Sequence, residues 1–297
     1  MRSQPATLVW LLIAVMAAAT VAALFATGLT VDFGSNPGAL SGMALLFAVS
    51  AFYRTLRPNP RIATVTAAAG QLLLILLFGI LLSYAASATS IPYRDAELYR
   101  VDLAMGFDRA AYLSFFKDPP WLAATMHWAY VLFLPQFTFM LAVGIALLMT
   151  SAIAAYVPAQ NAWVYVDVTP ARLARLPIEM QAHMPTLEAL RAGTFGAIQL
   201  DNLWGLIAFP SFHTAGGLLL AWALWRVPYV RWPALVLNTV LIASTPIDGA
   251  HYVIDVFGGA AVATAALLIA RWLCRDTVAK PIPPRRPATA ELSPRKI

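Results

Sequence analysis

A chain of 297 residues that is 60% hydrophobic and 11% charged, with a mean hydropathy of +0.71, lies far outside the range of soluble domains. Several apolar runs reach the roughly 20 residues that cross a bilayer, so the expected fold class is all-α, a polytopic transmembrane helix bundle. The net charge of +6 does not point to a nucleic-acid partner, because much of it follows Trp272, where a cytoplasmic bias accounts for it. The single cysteine, Cys274, excludes an internal disulfide and a thiolate metal cluster.

Thr7–Leu29 is the first expected span, too long an apolar run for a signal-peptide core. Ala39–Leu56 and Ile62–Ala88 follow, separated by the basic link Arg54–Arg61. Ser90–Pro120 mixes charges with apolar residues every few positions and predicts interfacial helices rather than a crossing. Trp121–Val157 is too long for one ordinary span, and Pro135-Gln136 or Gly144 could break it. Val157–Trp204 is the long extramembrane segment, with short helices expected near residues 170–192, started by Thr169-Pro170 and stopped by Gly193. Ser211–Trp225, Trp232–Thr245 and His251–Leu273 complete the expected spans. The chain thus divides into N-terminal helices over residues 1–89, a catalytic membrane domain over 90–274, and a disordered basic cytoplasmic tail over 275–297. With the tail, Arg226 and Arg231 inside, the segments opening at His213 and His251 face outward together. Placing Arg2 and Arg54–Arg61 inside as well requires Trp121–Val157 to cross twice, giving eight crossings.

Two polar islands interrupt the apolar sequence: Pro210-Ser211-Phe212-His213-Thr214, and Ser244–Gly259 with His251 and Asp255. On a helix, His251 and Asp255 share one face, one turn apart. Ionisable groups in such surroundings are costly unless paired or facing a cavity, which makes them candidates for function. A carboxylate that holds one ring nitrogen of a histidine leaves the other free to attack, as the buried Asp of a hydrolase triad does. Phosphorus is a fitting target, because a second histidine can protonate the leaving alkoxide. Ser211, Thr214 and the first amides of the following helix are candidate donors to phosphate oxygens. Asp248 stands one turn before His251 and is weighed evenly between a second partner and a loop cap.

Phe209–Ala215 and His251-Tyr252-x-x-Asp255-x-x-x-Gly259 resemble the two catalytic motifs of the type-2 phosphatidic acid phosphatase superfamily. They are closest to its branch containing inositol phosphorylceramide synthases. The resemblance extends over Asp102–Asp108 and the Tyr130…Pro135-Gln136 region, from roughly residue 90 to 273. It implies a six-helix core plus extra N-terminal helices, with His251 as nucleophile, Asp255 orienting it and His213 as acid to the leaving group. It also implies no metal or other cofactor, and a lipid phosphate or phosphodiester as substrate. The expected setting is the inner membrane of a bacterium, with the site on the outer, periplasmic face. The chain departs from the family pattern in three places. The lysine and Arg-Pro of the first motif have no clear match, Ser244-Thr245 replaces Ser-Arg, and Phe212 replaces Gly. Arg191 is the leading candidate to replace the lost cations, ahead of Lys117, Arg109 and Arg172; Gln136 is a further candidate substrate contact.

Blander readings stand beside these. His251–Asp255 could be a structural bond between helices, His127 a packed histidine, and His183 a solvated one. Arg191 could simply serve the end of a helix before Gly193, and Gln136 could satisfy backbone freed by Pro135. A zinc site lacks a fourth candidate ligand. The rival from another class is a proton-coupled transporter using the same groups as a relay, which would place them near the bilayer midplane.

Overall fold

The computed structural model describes residues 5–117, 119–131, 140–162 and 183–278. Thr169, Pro170, Arg172, Pro135, Gln136 and the tail beyond Val278 therefore lie outside the described residues. Eleven helices and one short strand pair make up the described chain. These are α1 (Pro5–Thr27), β1 (Thr30–Asp32), α2 (Pro37–Thr55), α3 (Pro60–Ser87), α4 (Asp95–Ala104), α5 (Arg109–Lys117), α6 (Pro120–Val131) and α7 (Met140–Tyr156). They continue with α8 (Met184–Arg191), β2 (Ala197–Gln199), α9 (Phe212–Leu224), α10 (Arg231–Asp248) and α11 (Val253–Val278).

Local sequence sets the helix ends. Asn36 and Asn59 each cap a helix opened by proline, their side chains accepting from the amides of Ala39 and Ile62. Gly193, at φ +66°, closes α8 in the left-handed conformation glycine adopts without penalty. The expected interfacial stretch forms α4 and α5, at 10 and 9 residues too short to cross. α11 runs to Val278, past the expected start of the tail at 275.

α1, α3 and α11 contain spans long and apolar enough to cross a membrane: Ala6–Thr27, Pro60–Ser87 and Val253–Arg275. Ala142–Tyr156 and Phe212–Leu224 are shorter apolar helices. Among the described residues, the apolar stretch expected to hold a break contributes two helices, α6 and α7. α6 packs on α10, while α7 packs on α3 and α11. At 12 residues α6 rises only ~18 Å.

One core joins the N-terminal helices to the rest. Leu12 and Met16 of α1 and Ile75 of α3 are buried with Val143 of α7, Leu219 of α9, Leu241 of α10 and Ala266 of α11. A second link lies at the chain's strand pair, where β1 runs parallel to β2 with Thr30 opposite Ala197. The Ser35 hydroxyl accepts from the Leu200 amide at 2.7 Å, and the Asn36 side chain donates to the Leu200 carbonyl.

Candidate active site

The chain reverses between α10 and α11 over Gly249–Tyr252. Gly249 must lack a side chain, since a Cβ there would meet the Thr245 carbonyl at 2.9 Å and His251 Cδ2 at 2.7 Å. Ala250 follows at φ +52°, an unusual conformation for a residue with a Cβ, and its carbonyl accepts from the Ala162 amide at 2.7 Å. His251 therefore stands ahead of α11 and not on it. The predicted pairing with Asp255 still forms, but for a different reason from a shared helix face. Asp255 lies in the first turn of α11, and its Oδ2 accepts from the Tyr252 amide at 2.9 Å, the reciprocal half of a helix cap. The same oxygen meets His251 Nδ1 at 3.1 Å. Both side chains are buried.

α9 brings the second histidine. Ser211 caps it, its hydroxyl accepting from the Thr214 amide, and His213 sits in the first turn. The Ser211 amide donates to the Asp255 carbonyl at 3.1 Å, locking the start of α9 to the start of α11. Gly259 permits the approach, because a Cβ there would stand 2.3 Å from the Ser211 carbonyl oxygen. The two imidazole centroids are 6.4 Å apart. Thr214 Oγ1 is buried without a hydrogen-bond partner among the described residues.

Beneath this reversal lies a polar platform that sequence reasoning did not assign. The Asp102 carboxylate caps α11, accepting from the amides of Val253 at 2.8 Å and Ile254 at 2.9 Å. Arg109, buried on α5, donates to the carbonyls of Pro246 and His251, lies 3.9 Å from Asp102 and faces the Tyr252 ring. The Tyr252 hydroxyl donates to Asp95 at 3.0 Å, and Asp95 also accepts from the Gln160 amide. Burial pushes the Asp95 carboxyl up, against the pull of these hydrogen bonds. The sequence pointed here through the stretch beginning at Asp102 and through Arg109, expected as a weaker replacement for a lost cation; the roles of both depend on where α4 and α5 dock.

Arg109 thus holds both sides of the turn that carries His251. Replacing it with alanine strands two buried carbonyls and a buried carboxylate, and should lower stability by about 3 kcal/mol. Thermal unfolding in detergent measures this. Lysine should recover only part of the loss, since a single ammonium cannot reproduce the fork.

The remaining candidates fall as follows. Asp248, at the end of α10, lies 3.5 Å from His127 of α6. His183 is not solvated as expected; it is half-buried before α8, where burial and then the nearby His251 push its imidazole down. Arg191 donates to the carbonyls of Thr89 and Ile91 and covers the Tyr93 ring at 4.1 Å. Those bonds fasten α8 to the segment leaving α3, while His213, His251, Asp255, Ser211 and Thr214 converge at the junction of α9 with α11. Among the described residues no group of three or more His, Cys, Asp or Glu is arranged to hold a metal ion.

A family model for the PAP2 superfamily matches residues 96–269, from the first turn of α4 to the last turns of α11. The chain belongs to the PAP2 superfamily. Membership gives this PAP2 protein a phosphatase- or phosphotransferase-type activity, and its apolar spans make it a membrane protein. No curated protein and no solved structure matches the chain.

Proposed function

We propose that this PAP2 protein cleaves or transfers a phosphoryl-containing headgroup of a lipid through a phosphohistidine at His251, without a metal. The observation that carries the reading is the buried His251 Nδ1–Asp255 contact at 3.1 Å, facing a second imidazole across 6.4 Å. Asp255 occupies Nδ1, so Nε2 is the nitrogen that attacks phosphorus. The P–O bond to the leaving alkoxide breaks, and His213 supplies that oxygen with a proton. Water or an acceptor alcohol then attacks the phosphohistidine, the P–N bond breaks, and His213 takes the proton back. Thr214 Oγ1 and the amides opening α9 are the candidate donors for the phosphoryl oxygens.

Headgroup transfer, in the manner of inositol phosphorylceramide synthases, is the favoured form. Thr245 stands where the phosphatases carry a cation, and its hydroxyl is used on the Ile242 carbonyl. The Arg109 guanidinium, the cation at the turn, is engaged with backbone carbonyls. With Thr245 and Arg109 so engaged, the described residues suit a singly charged phosphodiester better than a dianionic monoester. At the far ends of α9 and α11, Trp225 meets Trp232 edge to face, Arg271 lies over Trp222, and Arg275 lies over Trp272. Such a basic, aromatic belt supports placing that end at the cytoplasmic surface of a bacterial inner membrane and the histidines outward.

The test uses the purified full-length protein with 32P-labelled phosphatidic acid and phosphatidylinositol, with and without diacylglycerol and inositol as acceptors. Acid-labile, base-stable label on the protein is expected, together with turnover that survives a strong chelator. Turnover abolished by the chelator, or no protein-bound label under conditions of turnover, overturns the histidine mechanism. No turnover on any lipid ester, with proton-coupled flux in vesicles instead, selects the relay transporter.

A further inference from the structure

α6 lies outside both catalytic motifs, yet it reaches the imidazoles. The Tyr130 ring stacks on His213 with centroids 4.1 Å apart and planes 20° from parallel. Its hydroxyl is 3.3 Å from His213 Nδ1. A Cβ on Gly249 would meet Tyr130 Cε2 at 3.1 Å, so the same ring also abuts the nucleophile's turn. One turn earlier, His127 meets Asp248 and fixes α6 against the end of α10. Two neighbouring residues on one face of α6 are thus held by the end of α10 and the start of α9.

We infer that Tyr130 is the positioning residue that makes His213 the proton donor and acceptor, its ring fixing the imidazole plane and its hydroxyl holding Nδ1. The inference rests on the phosphohistidine reading above. The two histidines differ in their partners. His251 has a carboxylate, which suits a nucleophile that becomes positively charged as it bonds phosphorus. His213 has a neutral phenol, which orients the ring without adding a countercharge. With Nδ1–H donated to the phenol oxygen, Nε2 is the only nitrogen that can exchange a proton with the reaction. In the first step His213, protonated on both nitrogens, passes the Nε2 proton to the leaving alkoxide as the P–O bond breaks. In the second it takes a proton on Nε2 from the attacking water or alcohol as the P–N bond to His251 breaks. The phenol keeps its own proton throughout.

A positioning role acting through His213 makes the effect depend on the leaving group. Alkyl leaving groups need an acid, whereas nitrophenolate departs with little help. The full-length protein and its Tyr130→Phe variant are compared on phosphatidic acid and phosphatidylinositol, and on para-nitrophenyl phosphate and bis(para-nitrophenyl) phosphate. Single-turnover rates isolate the first step. Phe is expected to slow cleavage of the alkyl esters about 10-fold or more, and that loss should exceed the loss on the aryl esters by a similar factor. Tyr130→Leu, which also removes the stacked ring, should widen the difference. In a His213→Ala background the Tyr130→Phe change should add nothing on the aryl esters, as expected for residues that act as one unit.

Equal losses on alkyl and aryl esters, or full additivity with His213→Ala, overturn the inference and leave Tyr130 a packing residue, with the phosphohistidine reading intact. Wild-type protein that forms no labelled phosphoenzyme with any of these esters overturns that reading and the inference with it.

Discussion

Replacing His251 with alanine is expected to abolish turnover, by about 10⁴-fold or more, while the protein still inserts and migrates as a folded species. The fold should survive because the turn is held by other atoms. Asp255 Oδ2 keeps the Tyr252 amide, Asp102 keeps the first amides of α11, and Arg109 binds the His251 carbonyl, which alanine retains. Asp255→Asn tests the partner. Its amide oxygen can still accept from the Tyr252 amide and from Nδ1–H, but the negative charge that steadies the imidazole as it bonds phosphorus is gone, and a loss of about 10²- to 10⁴-fold is expected. Initial rates on the best lipid substrate, with size-exclusion profiles of each variant, decide the matter. Unimpaired turnover by His251→Ala would falsify the nucleophile assignment.

The second large effect is expected at Gly259, which takes no part in the chemistry. A methyl group there would sit 2.3 Å from the Ser211 carbonyl oxygen and 2.9 Å from Thr214 Cβ. Neither neighbour is a flexible side-chain end, so α9 and α11 must separate. Gly259→Ala should cost about 1–3 kcal/mol of stability. A displacement near 1 Å between the helices should also lower kcat about 10²-fold, because the Ser211–Asp255 backbone bond spans that gap. Gly205→Ala, whose Cβ would meet nothing within 4 Å, is the control and should be silent. Activity of Gly259→Ala equal to wild type would mean that the spacing of the two helix starts is not what sets the rate.

Part of this was legible from residue types alone. His213, His251 and Asp255 stand out because an apolar chain of this kind carries few ionisable groups, and their positions at the ends of apolar runs bring them together once the helices alternate. The three full-length spans were legible for the same reason, as unbroken hydropathy. The mode of pairing was not. Helical spacing puts His251 and Asp255 on one face, but the chain delays the start of α11 until Val253 so that Asp255 can close the cap.

The supports were less legible still. Tyr130, Asp102, Arg109 and Asp95 contact the site only through the docking of α4, α5 and α6, and nothing in a local pattern encodes that register. Arg191 stood out as a cation shortly before the first island; its acceptors, the carbonyls of Thr89 and Ile91, lie about a hundred residues upstream. A guanidinium's partner is decided by tertiary distance, and sequence proximity carried no information about it.

The joint between α9 and α11 is made from main-chain atoms: the Ser211 amide on the Asp255 carbonyl, with the Ser211 carbonyl seated over Gly259. Mutational drift among the surrounding side chains therefore leaves the gap between the imidazoles largely untouched. Under the proposed reading, selectivity for one headgroup or another can be rewritten in the side chains around the histidines while their spacing stays anchored in the backbone, so a laboratory attempt to redirect this protein to a new lipid should begin with those side chains.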